Sequence, residues 1–118
     1  MRVRIEYGDQ NESFAGCLPR EGTVVSAFRS TTGDEWHQVS LDVPVDYQMK
    51  GPSGFRRVFT DQVLVRPRVV GDRIGSSRPA QIDLYLAEDS QLPLATPLKI
   101  EEYVPACWAI CRVVAGAA

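Results

Sequence analysis

Apolar and polar side chains alternate along most of this chain, and a period of two predicts strands. In Arg2–Tyr7 the positions Val3, Ile5 and Tyr7 share one face while Arg2, Arg4 and Glu6 share the other, as in a strand with one wet side. Gly8-Asp9-Gln10-Asn11 ends it as a turn. A second strand is predicted over Thr23–Ser30, after Pro19-Arg20-Glu21-Gly22, and Thr31-Thr32-Gly33-Asp34 reverses the chain into Glu35–Val45 as a hairpin. In the return strand His37, Val39, Leu41, Val43 and Val45 form the apolar face, with Trp36, Gln38, Ser40 and Asp42 opposite. Pro44 marks an end or an edge, because it supplies no ladder donor.

Gly51-Pro52-Ser53-Gly54 is a second loop, followed by a long β-type run over Phe55–Val70 with Phe59, Val63, Val65 and Val69 on its odd-numbered, core-directed face. Gly71-Asp72 and Gly75-Ser76-Ser77 then break the chain into turns before the next strand. Ala80–Ala87 alternates again, with Ile82, Leu84 and Leu86 inward. Ser90–Leu98 contains Pro93 and Pro97 and reads as a loop, yet Leu92, Leu94 and Leu98 give it side chains to bury. It is expected either to plug one end of a barrel or to serve self-association beside an unpaired edge. Ala106–Val114 is apolar on both faces and fits a strand covered from both sides, with a short C-terminal helix after Pro105 as the alternative. With no other helical period and no internal repeat, the expected fold is all-β: a single domain over residues 1–118, an antiparallel barrel or sandwich of six to seven strands.

Composition agrees with a globular domain. The 118 residues are 44% hydrophobic and 24% charged, which excludes wholesale disorder, collagen-like and disulfide-framework classes. No apolar run follows Met1-Arg2-Val3-Arg4-Ile5-Glu6, so no secretory signal is expected and a cytoplasmic location is. The longest apolar stretch, Val104 to Ala118, includes Arg112 and is shorter than a membrane span, so no membrane partner is expected. Cys17, Cys107 and Cys111 are an odd number without a pairing pattern and are expected to be reduced.

Charge changes the picture because it is segregated. The chain carries a net charge of −2, yet residues 50–78 hold seven cations, Lys50, Arg56, Arg57, Arg66, Arg68, Arg73 and Arg78, against only Asp61 and Asp72. Unbroken alternation through Phe55–Val70 places Arg56, Thr60, Gln62, Arg66 and Arg68 together on the outer face. Arg66 and Arg68 then stand about 7 Å apart, two strand rises, a spacing suited to neighbouring phosphates or carboxylates. Pro67 between them implies an edge or bulge that a partner can reach. Arg56, Arg66, Arg68, Arg73 and Arg78 are therefore the candidate binding residues. The competing reading is that acids in Leu41–Asp46 or Asp83–Asp89 neutralise the same arginines through cross-strand pairs.

An acidic protein surface or a small anionic ligand fits such an edge. Nucleic acid fits less well, since the sequence pI is near 5.3 and alternation turns Phe55 and Phe59 inward, leaving no aromatic platform among the charges. His37, with Trp36 beside it, is the candidate pocket residue; Asp34, Asp42, Asp46 or Cys17 would have to join it for catalysis. Cys107 and Cys111 lie about 13 Å apart in a strand, too far to share a tetrahedral metal, so no metal site is expected. No phosphate loop, dinucleotide fingerprint, nucleophile elbow or zinc motif occurs, and no cofactor is expected. The sequence thus points to a non-enzymatic binding or accessory module. A small enzyme or ligand-pocket protein centred on His37, and a structural homo-oligomer, are the alternatives.

Overall fold

The alternating apolar positions meet in one interior. Val3 and Ile5, Val39 and Leu41, Val63 and Val65, Ile82, Leu84 and Leu86, and Ala109 and Cys111 are all buried in a single cluster. A computed structural model describes residues 1–114; residues 115–118, the end of the apolar stretch after Val104, lie outside the described residues. Six strands surround that cluster: β1 (Arg2–Tyr7), β2 (Arg20–Arg29), β3 (Glu35–Gly51), β4 (Gly54–Pro67), β5 (Ala80–Ala87) and β6 (Val104–Val113). Each pairs antiparallel with the next, and β6 pairs back onto β1 (Val3↔Val113, Ile5↔Cys111), closing the barrel. The all-β, antiparallel barrel expectation holds, with six strands. No helix among the described residues is long and apolar enough to cross a membrane.

Closure leaves Pro67 an edge on one side only: it is the last residue of β4, paired with Ile82 of β5 and followed by Arg68 N donating to Gln81 O at 2.8 Å, but it lies beyond the last β3 pair, His37↔Val65. Proline sits here because the strand stops. The alternative helix at Ala106–Val114 is also corrected: β6 pairs with β5 on one side and β1 on the other. Its inner face is buried at Ala109 and Cys111, whereas Pro105 and Arg112 on the outside are exposed, so it is not covered from both sides throughout. Trp108 is half-buried there, and Gly8 has no side chain because a Cβ would overlap the Trp108 ring.

The hairpin of β2 and β3 forms with Phe28 opposite Trp36, but β3 continues past Pro44 to Gly51. Between the pairs Ser40↔Gln62 and Val45↔Thr60 it has four residues where β4 has one. This bulge has two consequences. Val43 is thrown outward, 56% exposed, although its parity matches Leu41 and Val45. The inward parity of β4 also switches: Val58 and Thr60 are buried below the bulge, Val63 and Val65 above it. Pro44 occupies this irregular stretch, beyond the last β2 partner at Leu41, where a missing donor does no harm.

The connection from β5 to β6, residues 88–103, does not plug an end. It runs as a strap over the outside of the barrel, tied to the end of β2 by Leu98 N donating to Arg29 O (3.0 Å) and Thr31 N donating to Leu98 O (2.9 Å). Beneath it lies a second cluster of Trp36, Leu64, Ala87, Leu98 and Tyr103, with Trp36 edge-on to Tyr85 at 5.3 Å. Trp36 and Leu64 are large apolar residues on the outward parity of their strands, and the strap shields them from water.

Candidate functional site

The bulge that reverses parity in β4 also sets apart a region with two exposed aromatic rings, Phe55 and Phe59. β2 stops pairing with β3 at Leu41, and β5 begins pairing with β4 only at Gln62, so residues 45–51 and 54–60 form a two-stranded arm beyond the barrel. Its turn is Pro52-Ser53, closed by Gly54 at φ +120°, a conformation that favours glycine. An isolated ribbon is marginal in water. This one is held by its inner face: Val45 and Val58 are buried, Tyr47 meets Phe14 edge-on at 5.0 Å, and Ser13 Oγ and Tyr47 OH lie 2.7 Å apart. Phe14 is presented by a short 3-10 helix, Ser13–Cys17. At the arm's root Thr60 Oγ1 donates to Ala87 O, and Arg56 pairs with Glu88.

Directly opposed residues share a face, so Asp46 with Phe59, Gln48 with Arg57, and Lys50 with Phe55 make up the outer side of the arm. Phe55 is 74% and Phe59 57% exposed, which corrects the expectation that both enter the core. The Arg57 guanidinium lies 5.7 Å from the centre of the Phe59 ring. It also forks onto Asp46, with Nε donating to Oδ1 and Nη2 to Oδ2, each at 2.7 Å. Those hydrogen bonds hold the Asp46 carboxyl below its ordinary range. From Tyr47 through Thr60 there are three cations, Lys50, Arg56 and Arg57, and no acid.

The arginines predicted to act together are dispersed. Arg66 is engaged by two acids, Nη1 to Asp34 Oδ2 at 2.9 Å and Nη2 to Asp83 Oδ2 at 2.7 Å, and its guanidinium caps the Trp36 ring at 4.9 Å. The Asp83 hydrogen bond, with smaller help from Asp34, raises the Arg66 pKa. Arg68 reaches Asp83 Oδ1 at 3.3 Å and covers Trp108 at 5.4 Å. Arg56 belongs to the other parity of β4 and to the arm. Arg73 and Arg78 lie in the β4–β5 connection and make no ion pair among the described residues. The five therefore do not form one surface, and internal acids occupy three of them.

His37 lines a cleft of about 360 Å³ with Glu35, Pro67, Asp72, Arg73 and Ile74. Its Nε2 stands 3.5 Å from Glu35 Oε1, and its Nδ1 is buried without a hydrogen-bond partner. Arg73 thus joins His37, but two carboxylates line the same cleft and oppose an anion. Trp36 is not part of it; that ring is 1% exposed under the strap and Arg66. Cys17 is not available to His37 either, because it packs at the barrel's other end, near Arg20 and Asp46. Burial raises all three thiols, Cys107 to about 12 with Glu12 adding to it and Cys111 to about 11, so none is a ready thiolate. Among the described residues no group of three metal-ligating side chains comes together.

Sequence reasoning missed a wider cleft of about 650 Å³ between strap and barrel, where Phe28, Leu92 and Leu94 surround Gln38 and Gln62. Gln38 Nε2 donates to Gln62 Oε1 at 2.7 Å, and Gln62 Nε2 donates to Ser40 Oγ at 3.1 Å. The strap's path, which creates this cleft, left no local signal. Comparison with known proteins adds nothing to the geometry: no family model matches the chain, and no significant match was found among curated proteins or solved structures.

Proposed function

We propose that this chain is a non-enzymatic binding module that holds an anionic partner on the outer face of the β3–β4 arm. One observation carries the reading: Phe55 and Phe59 stand in solvent on the same face as Lys50 and Arg57, on an arm that holds three cations against a single acid, Asp46. Exposed aromatic rings interleaved with cations are characteristic of an interaction site. The reading keeps the anionic partner expected from the sequence and moves its seat from Arg66 and Arg68, whose hydrogen-bonding forks are turned to Asp34 and Asp83. Free thiols at Cys17, Cys107 and Cys111 support a reducing, cytoplasmic setting.

Immobilised heparin is a suitable stand-in polyanion. The double variant Lys50→Ala/Arg57→Ala elutes at lower salt than the parent, because screening competes with fewer contacts. Asp46→Asn elutes at higher salt, because Arg57 is released from its fork. Parent-like elution of both variants overturns the assignment.

A further inference from the structure

Resting on that reading, we propose that the anionic partner is a single-stranded nucleic acid, bound with its bases stacked on Phe55 and Phe59 and its phosphates beside Lys50 and Arg57. Single-strand sites without base preference combine a cationic track with aromatic side chains on which bases lie flat, and the outer face of the arm has both. Phe55, Arg57 and Phe59 are alternate residues of one strand on one face, so the two rings are separated by about 13 Å, with Arg57 between them in sequence and its guanidinium leaning over the Phe59 ring. An extended strand can lay one base on each ring and bring intervening phosphates to Arg57. Lys50, opposite Phe55, supplies charge at the arm's tip, and Arg56 flanks it from the inner side. The objection from the acidic pI is met by locality, since the field a ligand meets is that of the residues it touches.

Other occupants fit less well. A bilayer is entered tip first, and this tip is Pro52-Ser53 between glycines; Phe59 lies at the arm's root, opposite the carboxylate of Asp46. A second copy docking face to face would bring Lys50 and Arg57 against themselves, and like charges directly opposed are destabilising. Duplex DNA hides the flat faces of its bases, so a ring platform gains nothing from it. Asp46 is the feature that acts against an anion, and it sits where it sets the strength of binding: phosphate must take Arg57 from it.

The test uses the full chain and a fluorescently labelled short oligothymidylate, read by anisotropy as salt is varied. Phe55→Ala and Phe59→Ala each weaken binding by roughly five- to a hundred-fold, the range for one lost base stack. Neither changes the salt slope. Arg57→Ala lowers that slope by about one ion, and Phe59→Trp retains binding. Both phenylalanines are exposed, so the variants keep the parent's circular dichroism. Binding that is indifferent to both alanine variants overturns the stacking site while the anionic reading stands. Heparin retention that depends on Lys50 and Arg57, without oligothymidylate binding, likewise removes nucleic acid and leaves a different polyanion. Preference for vesicles of anionic phospholipid over the oligonucleotide assigns the arm to membranes and overturns the inference. Equal affinity for duplex and single strand overturns it too. If neither heparin nor oligonucleotide binds, both readings fall.

Discussion

A cation in this protein is defined less by its position in the sequence than by the acid it faces. Arg66 and Arg57 are nine residues apart on one strand, and both fork onto carboxylates, yet they do different work. Arg66 lies over a buried tryptophan with two acids around it, which makes it part of the wall. Arg57 and its carboxylate partner, Asp46, are both at the surface beside an exposed ring, where an exposed pair contributes roughly 0 to 1 kcal/mol and can be exchanged for another anion. The thiols show the complementary effect, since burial penalises their charged form. Cys107 is pushed from 9.0 to about 12, so the unfolded chain gives up this proton first. Its neutral state therefore contributes stability fully below about pH 9, and that contribution is lost as pH rises toward 12. Thermal melts of the parent above pH 9 should fall more steeply than those of Cys107→Ala, the tyrosines being common to both. Parallel slopes would show that the thiol is solvated.

Elements here are held by side chains on the unexpected side of a strand. The strap covers Trp36 and Leu64, and Leu98, fully buried, is the residue that both packs on them and ties the backbone to β2. Leu98→Ala should cost about 2–5 kcal/mol, as for other large-to-small changes in a packed cluster. In a Trp108→Phe background it should also shift Trp36 emission to the red as water enters. An unshifted spectrum with a small change in melting temperature would mean that the strap is held by its backbone alone. Period-two patterning disclosed β1, β5 and the barrel class, because those two strands keep one face in the core along their length, and the turn residues Thr31-Thr32-Gly33-Asp34 disclosed the β2–β3 hairpin. It misplaced Phe55 and Phe59 because a bulge between β3 and β4 reverses parity, and the run Phe55–Val70 contains no glycine or proline at Thr60–Asp61 to mark the switch. Val58 beside Phe59 was the available hint: two adjacent apolar residues must face opposite ways. The pairing of Arg66 with Asp83 was legible only as a class, acids of β5 beside a basic strand, since register is a property of the closed sheet.

At the scale of the whole molecule, closure and the arm are two aspects of one mismatch in strand length. β3 and β4 have 17 and 14 residues against 6 in β1 and 8 in β5, so the surplus cannot find neighbours in the barrel and leaves it as a ribbon. Strands inside the barrel are paired on both sides; those of the arm are paired only with each other, below Leu41 and Gln62. Local opening of the arm therefore breaks one ladder, the Phe14–Tyr47 contact and the burial of Val45 and Val58 at the margin of the main cluster, whereas opening the barrel breaks two ladders for most of each strand and the whole of that cluster. Segments that bind partners are commonly drawn from the less stable end of such a hierarchy. Native-state hydrogen exchange should accordingly divide the amides into two groups. Those of the barrel pairs, such as Val39, Val63 and Leu84, should exchange only with global unfolding and share its dependence on denaturant. Those of 46–50 and 55–59 should exchange sooner and with little such dependence. Saturation with oligothymidylate should slow the arm's amides and leave those of the barrel unchanged. Arm amides as protected as the barrel's in the free protein would show that the inner face of Val45, Tyr47 and Val58 joins the arm to the main core as one cooperative unit, with the binding face rigid before any partner arrives.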